Sequence, residues 1–227
     1  MKTNKPSLFL YLFASIFAVI GIVIENDLIT LLMKPMIVPA ILYYYIQVKK
    51  SKTNWLFLII LVSSFTSDML VLFDLPNGNI PIALLNMFCY LIFIYFAIKD
   101  ISLKYLSNIK FFYFALIVIG CFIILYVVLG LMSGLDDFSN NLYIIYGIVL
   151  CVLASIIGFN HLNQESNKTF YALIMCICFI TTDVFYAVYN FYLNLEIFIV
   201  LNITVQFASY YYMVKYITCN SEIEEVL

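Results

Sequence analysis

Three ionisable residues, Lys34, Asp68 and Asp183, stand inside long apolar stretches of a chain of 227 residues. A charge at mid-bilayer costs at least about 2.5–3.5 kcal/mol on insertion scales, so such residues are rare unless something uses them. Two carboxyls and a lysine held together have few uses. They can pair a proton donor with an ionised partner for acid–base chemistry, or relay protons or a charged solute. Other reactive types offer less. Cys89, Cys121, Cys151, Cys176 and Cys178 lie within apolar runs and Cys219 just past the last, so they read as buried thiols. Cys176-x-Cys178 would need further ligands to hold zinc, and the sole histidine, His161, falls at the end of a run as a solvated end residue. Asp136-Asp137 has no second acidic motif facing it and reads as a solvated loop. No metal or other cofactor is expected.

The elements that must carry these residues are membrane spans. The chain is 65% apolar and 11% charged with a mean hydropathy of +1.06, against roughly 25% charged residues in a soluble domain. A water-soluble globular fold is excluded. The net charge is -2 and arginine is absent, so no basic face exists for nucleic acid, which is not an expected partner. Apolar runs bounded by charges or by Pro, Gly and Asn clusters fall at 7–24, 28–48, 55–73, 80–98, 110–132, 142–160, 169–190 and 195–217. The expected fold is therefore all-α, a polytopic membrane protein with an eight-helix transmembrane bundle as its single domain over 1–227. The first run lacks a small-x-small cleavage site and reads as a retained span. Gly130-x-x-x-Gly134 is a helix-packing signal at a span end.

Lysines alternate between loops. Lys2 and Lys5, then Lys49, Lys50 and Lys52, then Lys99, Lys104 and Lys110, then Lys168, then Lys215 mark one side, while Glu25, Asp27, Asp74, Asp136, Asp137 and Glu196 mark the other. Positive charge holds short loops in the cytoplasm, so both termini are expected there. Lysine with much asparagine and isoleucine and no arginine points to an AT-rich genome and a bacterial cytoplasmic membrane.

Depth follows from a rise of about 1.5 Å per residue. Asp68 lies about 21 Å above the lysine side, Asp183 about 22 Å, and Lys34 about 10 Å below the opposite surface. In a core about 30 Å thick all three share one level in the outer half. Ser64, Ser67, Asp68 and Val71 share a face of the third span, as do Asp183, Tyr186 and Asn190 on the seventh. Asn86 and Tyr90 lie one turn apart on the fourth, and Asn202, Gln206 and Ser209 form a stripe on the eighth. A polar chamber lined by spans two, three, four, seven and eight would collect them. Ser67-Asp68 and Thr182-Asp183 are followed 18 and 19 residues later by Asn86 and Asn202, which points to two parallel four-helix repeats.

The same residues resemble the YhhN family of lysoplasmalogenase-type integral membrane enzymes. Family patterns of Lys-Pro, Ser-x-x-Gly-Asp, Ser-Asp with Leu-Ala and Phe, and Ala-Gln correspond to Lys34-Pro35, Ser64 to Asp68, Thr182-Asp183 to Ala187 with Phe191, and Val205-Gln206. Order and spacing fit from the second span onward. The chain departs at Ser67, where the family has glycine, and at Met87, where a His-x-x-Tyr is expected before Tyr90.

The resemblance implies hydrolysis of the vinyl ether bond of a lysophospholipid within the membrane lipid, with Asp68 and Asp183 catalytic. The remaining polar set, Lys34, Ser64, Ser67, Asn86, Tyr90, Tyr186, Asn202 and Gln206, would bind the substrate. The residues suit this reaction independently, because protonation of an enol-ether carbon needs a carboxylic acid that keeps its proton near neutral pH. Low dielectric and a neighbouring carboxylate favour that state, while an ionised partner can steady positive charge and orient water. The residue types leave open which aspartate is the acid, and equally a role for Lys34 on the lipid phosphate. A small-solute or lipid carrier with a Lys/Asp relay is the alternative, and a packing protein with a vestigial site is a third.

Overall fold

The structure is a computed structural model in which residues 6–49, 52–73, 78–101, 108–132 and 137–219 are described. The features read from Lys2, Lys5, Lys50, Asp74, Lys104, Gly134 and Asp136 lie outside those residues. Eight helices follow one another: α1 (Pro6–Val23), α2 (Asp27–Val48), α3 (Trp55–Leu72), α4 (Asn79–Lys99), α5 (Asn108–Leu131), α6 (Asp137–Asn163), α7 (Asn167–Phe191) and α8 (Glu196–Thr218). Each is long and apolar enough to span a membrane. The chain is an all-α integral membrane protein. The expected spans agree closely except at α6, which starts five residues before the apolar run because the polar Asp137 to Asn141 stretch continues the helix beyond it.

Local chemistry sets several boundaries. Asn26 caps α2 by accepting from the Ile29 amide at 3.1 Å, and Asn54 caps α3 through the amides of Leu56 and Phe57. Ser166 and Thr169 form a reciprocal capping box on α7. Within α2, Pro35 and Pro39 each remove a helix N–H, which frees carbonyls in the turn that carries Lys34.

Apolar burial does not drive helices together in lipid, so close packing and interhelical polar contacts do. A Cβ on Gly147 of α6 would fall 2.2 Å from the Leu125 Cδ1 of α5, and one on Gly158 would fall 3.1 Å from Ile117 Cδ1. These two glycines bring α5 and α6 together. Gly130, in the expected packing motif, meets nothing within 4 Å, because that turn faces outward. The Tyr11 hydroxyl donates to the Phe207 carbonyl, tying α1 to α8. Side chains such as Phe122 and Tyr126 on α5 point away from the bundle, as a lipid-facing helix requires.

Helix adjacency carries the internal repeat. α1 packs on α2 as α5 on α6, α2 on α3 as α6 on α7, and α3 on α4 as α7 on α8. The exchange between halves is also matched, since α4 packs on α6 and α8 on α2. The match breaks where α8 packs on α1 and α5 packs on α7.

The lysine-bearing end is laced by ion pairs. Lys168 Nζ lies 2.6 Å from Asp100 Oδ1, whose other oxygen accepts from Tyr216 at 2.8 Å. Lys110 reaches Glu165 at 3.9 Å and donates to the Leu162 carbonyl. His161, expected to be solvated, is half-buried with Nδ1 3.2 Å from Thr169 Oγ1, because the short α6–α7 connection folds Thr169 against it. Cys219 is likewise only half-buried, unlike the other five cysteines.

Candidate functional site

Beside Asp183 a cavity of about 130 Å³ opens among six helices, room for about four waters. Its polar wall is Ser67 of α3, Asn79 and Asn86 of α4, Tyr143 and Tyr146 of α6, Thr182, Asp183 and Tyr186 of α7, and Asn202 and Gln206 of α8. The remaining wall is apolar, with Ile124, Leu125, Val128 and Leu129 of α5 facing Leu150 of α6 and Ile180 of α7. An apolar arm beside a polar floor suits an amphiphile. The expectation that span two lines the chamber is corrected. No lining residue comes from α2, whereas α5 and α6 contribute, because Gly147 and Gly158 let these helices pack tightly where α2 stands behind α3 and α8.

Asp183 is half-buried on this wall. Its Oδ2 accepts from the Tyr146 hydroxyl at 2.7 Å and from the Tyr90 hydroxyl at 3.0 Å. Among the described residues Oδ1 has no hydrogen-bond partner, which leaves it for whatever fills the cavity. Tyr90 stands behind the wall, 5% exposed and wedged against the rings of Phe179 and Tyr146 at 5.0 and 5.5 Å between centroids. Its phenol cannot swing away.

Asp68 occupies the equivalent turn of α3 but lies off the cavity wall, 1% exposed. Both of its oxygens are engaged: Oδ1 by Gln206 Nε2 and Oδ2 by Tyr210, each at 2.8 Å. Lys34, 4% exposed, sits close enough for charge attraction to Asp68, with no ion pair within 4.0 Å among the described residues. Lys34 is therefore a neighbour of Asp68 behind the cavity wall.

The two stations are linked through Gln206, which lines the cavity and donates to Asp68. They also trade partners between the repeats. Tyr90 and Gln206 follow Asn86 and Asn202 by one turn, and each serves the aspartate of the other half. The third contributor comes from α2 for Asp68, as Lys34, and from α6 for Asp183, as Tyr146.

Of the expected residues, Ser67, Asn86, Asp183, Tyr186, Asn202 and Gln206 share the cavity, while Lys34, Ser64, Asp68 and Tyr90 are behind its wall. Ser64 Oγ lies 4.0 Å from Cys89 Sγ between α3 and α4. Tyr186 donates to Asn79 Oδ1 at 2.6 Å and Asn202 to the Thr182 carbonyl at 2.7 Å. Asn86 has no hydrogen-bond partner among the described residues. Tyr146 and Tyr210 were not foreseen, being two tyrosines among 19. Among the described residues no three His, Cys, Asp or Glu side chains converge as metal ligands do.

No family model matches the chain, and neither does a curated protein or a solved structure.

Proposed function

We propose that this protein is a membrane-embedded hydrolase that cleaves the vinyl ether bond of a lysoplasmalogen-type lysophospholipid, similar in kind to the YhhN family. The observation that carries the reading is Asp183, a carboxyl with one oxygen clasped by two phenols and the other open to a cavity that is polar at that point and apolar beyond it. The alkenyl chain lies along the α5 arm and places the enol ether at Oδ1.

In the first step Asp183 gives the proton on Oδ1 to the enol-ether β-carbon. The double-bond pair forms the new C–H bond and an oxocarbenium ion remains. Water adds to that cation and returns its proton to Asp183, as a single carboxyl alternates between acid and base in glycoside cleavage. The hemiacetal then breaks its C–O bond to give fatty aldehyde and free alcohol. Gln206 Oε1 and the Asn86 amide are the groups on the wall with capacity to hold the water. Asp68 acts through Gln206 as a positioning residue, steadied by Lys34.

The test is aldehyde release by purified protein in detergent, with lysoplasmenyl-phosphoethanolamine beside its ester-linked counterpart. Release from the vinyl ether alone supports the reading. Uptake or exchange of lipid without cleavage would favour the carrier.

We further propose that the lysine-bearing end faces the cytoplasm of a bacterial cell, with both termini on that side. Single cysteines at Lys52 and Asp137, in a chain without its native cysteines, are then labelled by an impermeant maleimide from opposite sides of the membrane. Same-side labelling overturns the orientation.

A further inference from the structure

We infer that Tyr146 and Tyr90 form a donor pair that stabilises the carboxylate left on Asp183 after it gives up its proton, and so act in the transition state rather than in binding. The inference rests on the hydrolase reading and adds to it two groups that touch the reacting carboxyl from behind.

Both phenols address the same oxygen, Oδ2, at 2.7 and 3.0 Å, and neither addresses Oδ1. The phenol oxygens lie 3.2 Å apart. Each carries a single proton, so when both donate to Oδ2 the contact between them is not itself a hydrogen bond. Against a neutral carboxyl these donors meet a carbonyl oxygen. Once the proton leaves Oδ1 the same two bonds become charge-assisted, shorter and roughly twice as strong. Donors already aimed where charge develops contribute more to the transition state than to the ground state, as in an oxyanion hole.

Packing keeps the pair in place. Tyr90 is held by the Phe179 ring, and Tyr146 is followed by Gly147, the point where Leu125 presses closest on α6. The two phenols come from α4 and α6, which pack on each other, and Phe179 of α7 holds Tyr90 from the third side, so the donor pair is seated against the helix that carries Asp183. The contrast with Asp68 is chemical. Its donors are split between its two oxygens, so neither oxygen is left open to the cavity and no second donor reinforces the first on one atom.

The experiment uses the full chain in detergent, with Tyr146→Phe and Tyr90→Phe as separate variants. Two readouts are taken: steady-state aldehyde release from lysoplasmenyl-phosphoethanolamine, and the infrared carbonyl band that disappears in Asp183→Asn. Tyr146→Phe is expected to lower kcat by about 10²-fold, the scale of removing one oxyanion-type donor, with KM within about twofold. Tyr90→Phe, the longer bond, is expected to lose less. In both, the Asp183 band moves to higher frequency without substrate, because a carbonyl that loses a donor stiffens. An active wild type with undiminished kcat in both variants, a rise in KM alone, or an unmoved band overturns the inference and leaves the hydrolase reading standing. A folded wild type that releases no aldehyde overturns the hydrolase reading and the kinetic role with it, even if the band moves.

Discussion

Asp68 and Asp183 occupy corresponding turns of α3 and α7, yet they are different chemical objects. Asp68 is saturated: Gln206 on one oxygen, Tyr210 on the other, Lys34 as neighbour, and almost no exposed surface. Asp183 keeps one oxygen open to a cavity, and its partners are neutral phenols. The pair teaches that two matching Asp-bearing turns in one bundle need not make two like sites. Asp68 has Lys34 of α2 and Gln206 beside it where Asp183 has Tyr146 of α6 and Tyr90, and only Asp183 keeps an oxygen for the cavity.

The largest effect that would break the comparison is the loss of Asp183. Asp183→Asn is expected to cut aldehyde release by about 10²–10⁴-fold, the usual worth of general acid catalysis. Circular dichroism and elution volume should stay unchanged, because the amide oxygen still accepts from both phenols. Asp68→Asn should instead act on stability. It turns one acceptor of the buried Gln206 and Tyr210 hydrogen bonds into an amide and removes the carboxyl that attracts Lys34, at a cost of about 1–3 kcal/mol, read as a fall in thermal midpoint in detergent. The double variant with Lys34→Met should recover the part of that loss due to Lys34.

A smaller effect is expected from Gly147→Ala. The added Cβ would lie 2.2 Å from Leu125 Cδ1, so the Leu125 side chain must turn to another rotamer, at a cost of about 0.5–1.5 kcal/mol. Since Tyr146 rides on the same turn, kcat should fall while the Asp68 station, on α3 and α8, is untouched. The smallest is Ser64→Ala. Its hydroxyl faces Cys89 and not the cavity, so KM should stay within twofold and stability should change by no more than about 1 kcal/mol.

The bundle was legible in the sequence because lipid admits few solutions: a run of about 20 apolar residues must become a helix with its backbone satisfied internally. The eight spans and their bounds followed from counting apolar residues between charges and turn formers. What the sequence withheld was rotation about each helix axis. Lys34 and Asp183 both lie inside spans, yet Lys34 is set beside Asp68 and stays off the cavity wall that Asp183 lines. In the same way Ser64 and Tyr90 share helix faces with cavity residues and still fall one layer behind them. Tyr146 and the whole α5 arm went unseen because in a chain with 19 tyrosines and continuous apolar runs no pattern singles them out.

The central claim, that the two aspartates hold different offices, meets its most direct test in one side-by-side measurement of aldehyde release from lysoplasmenyl-phosphoethanolamine. Asp183→Asn is compared with the Lys34→Met/Asp68→Asn double variant, both purified and folded. The account predicts a loss of at least about 10²-fold for Asp183→Asn and only about tenfold for the double variant, the scale of one misplaced hydrogen bond at Gln206. Equal losses in the two proteins, or undiminished release by Asp183→Asn, would contradict it.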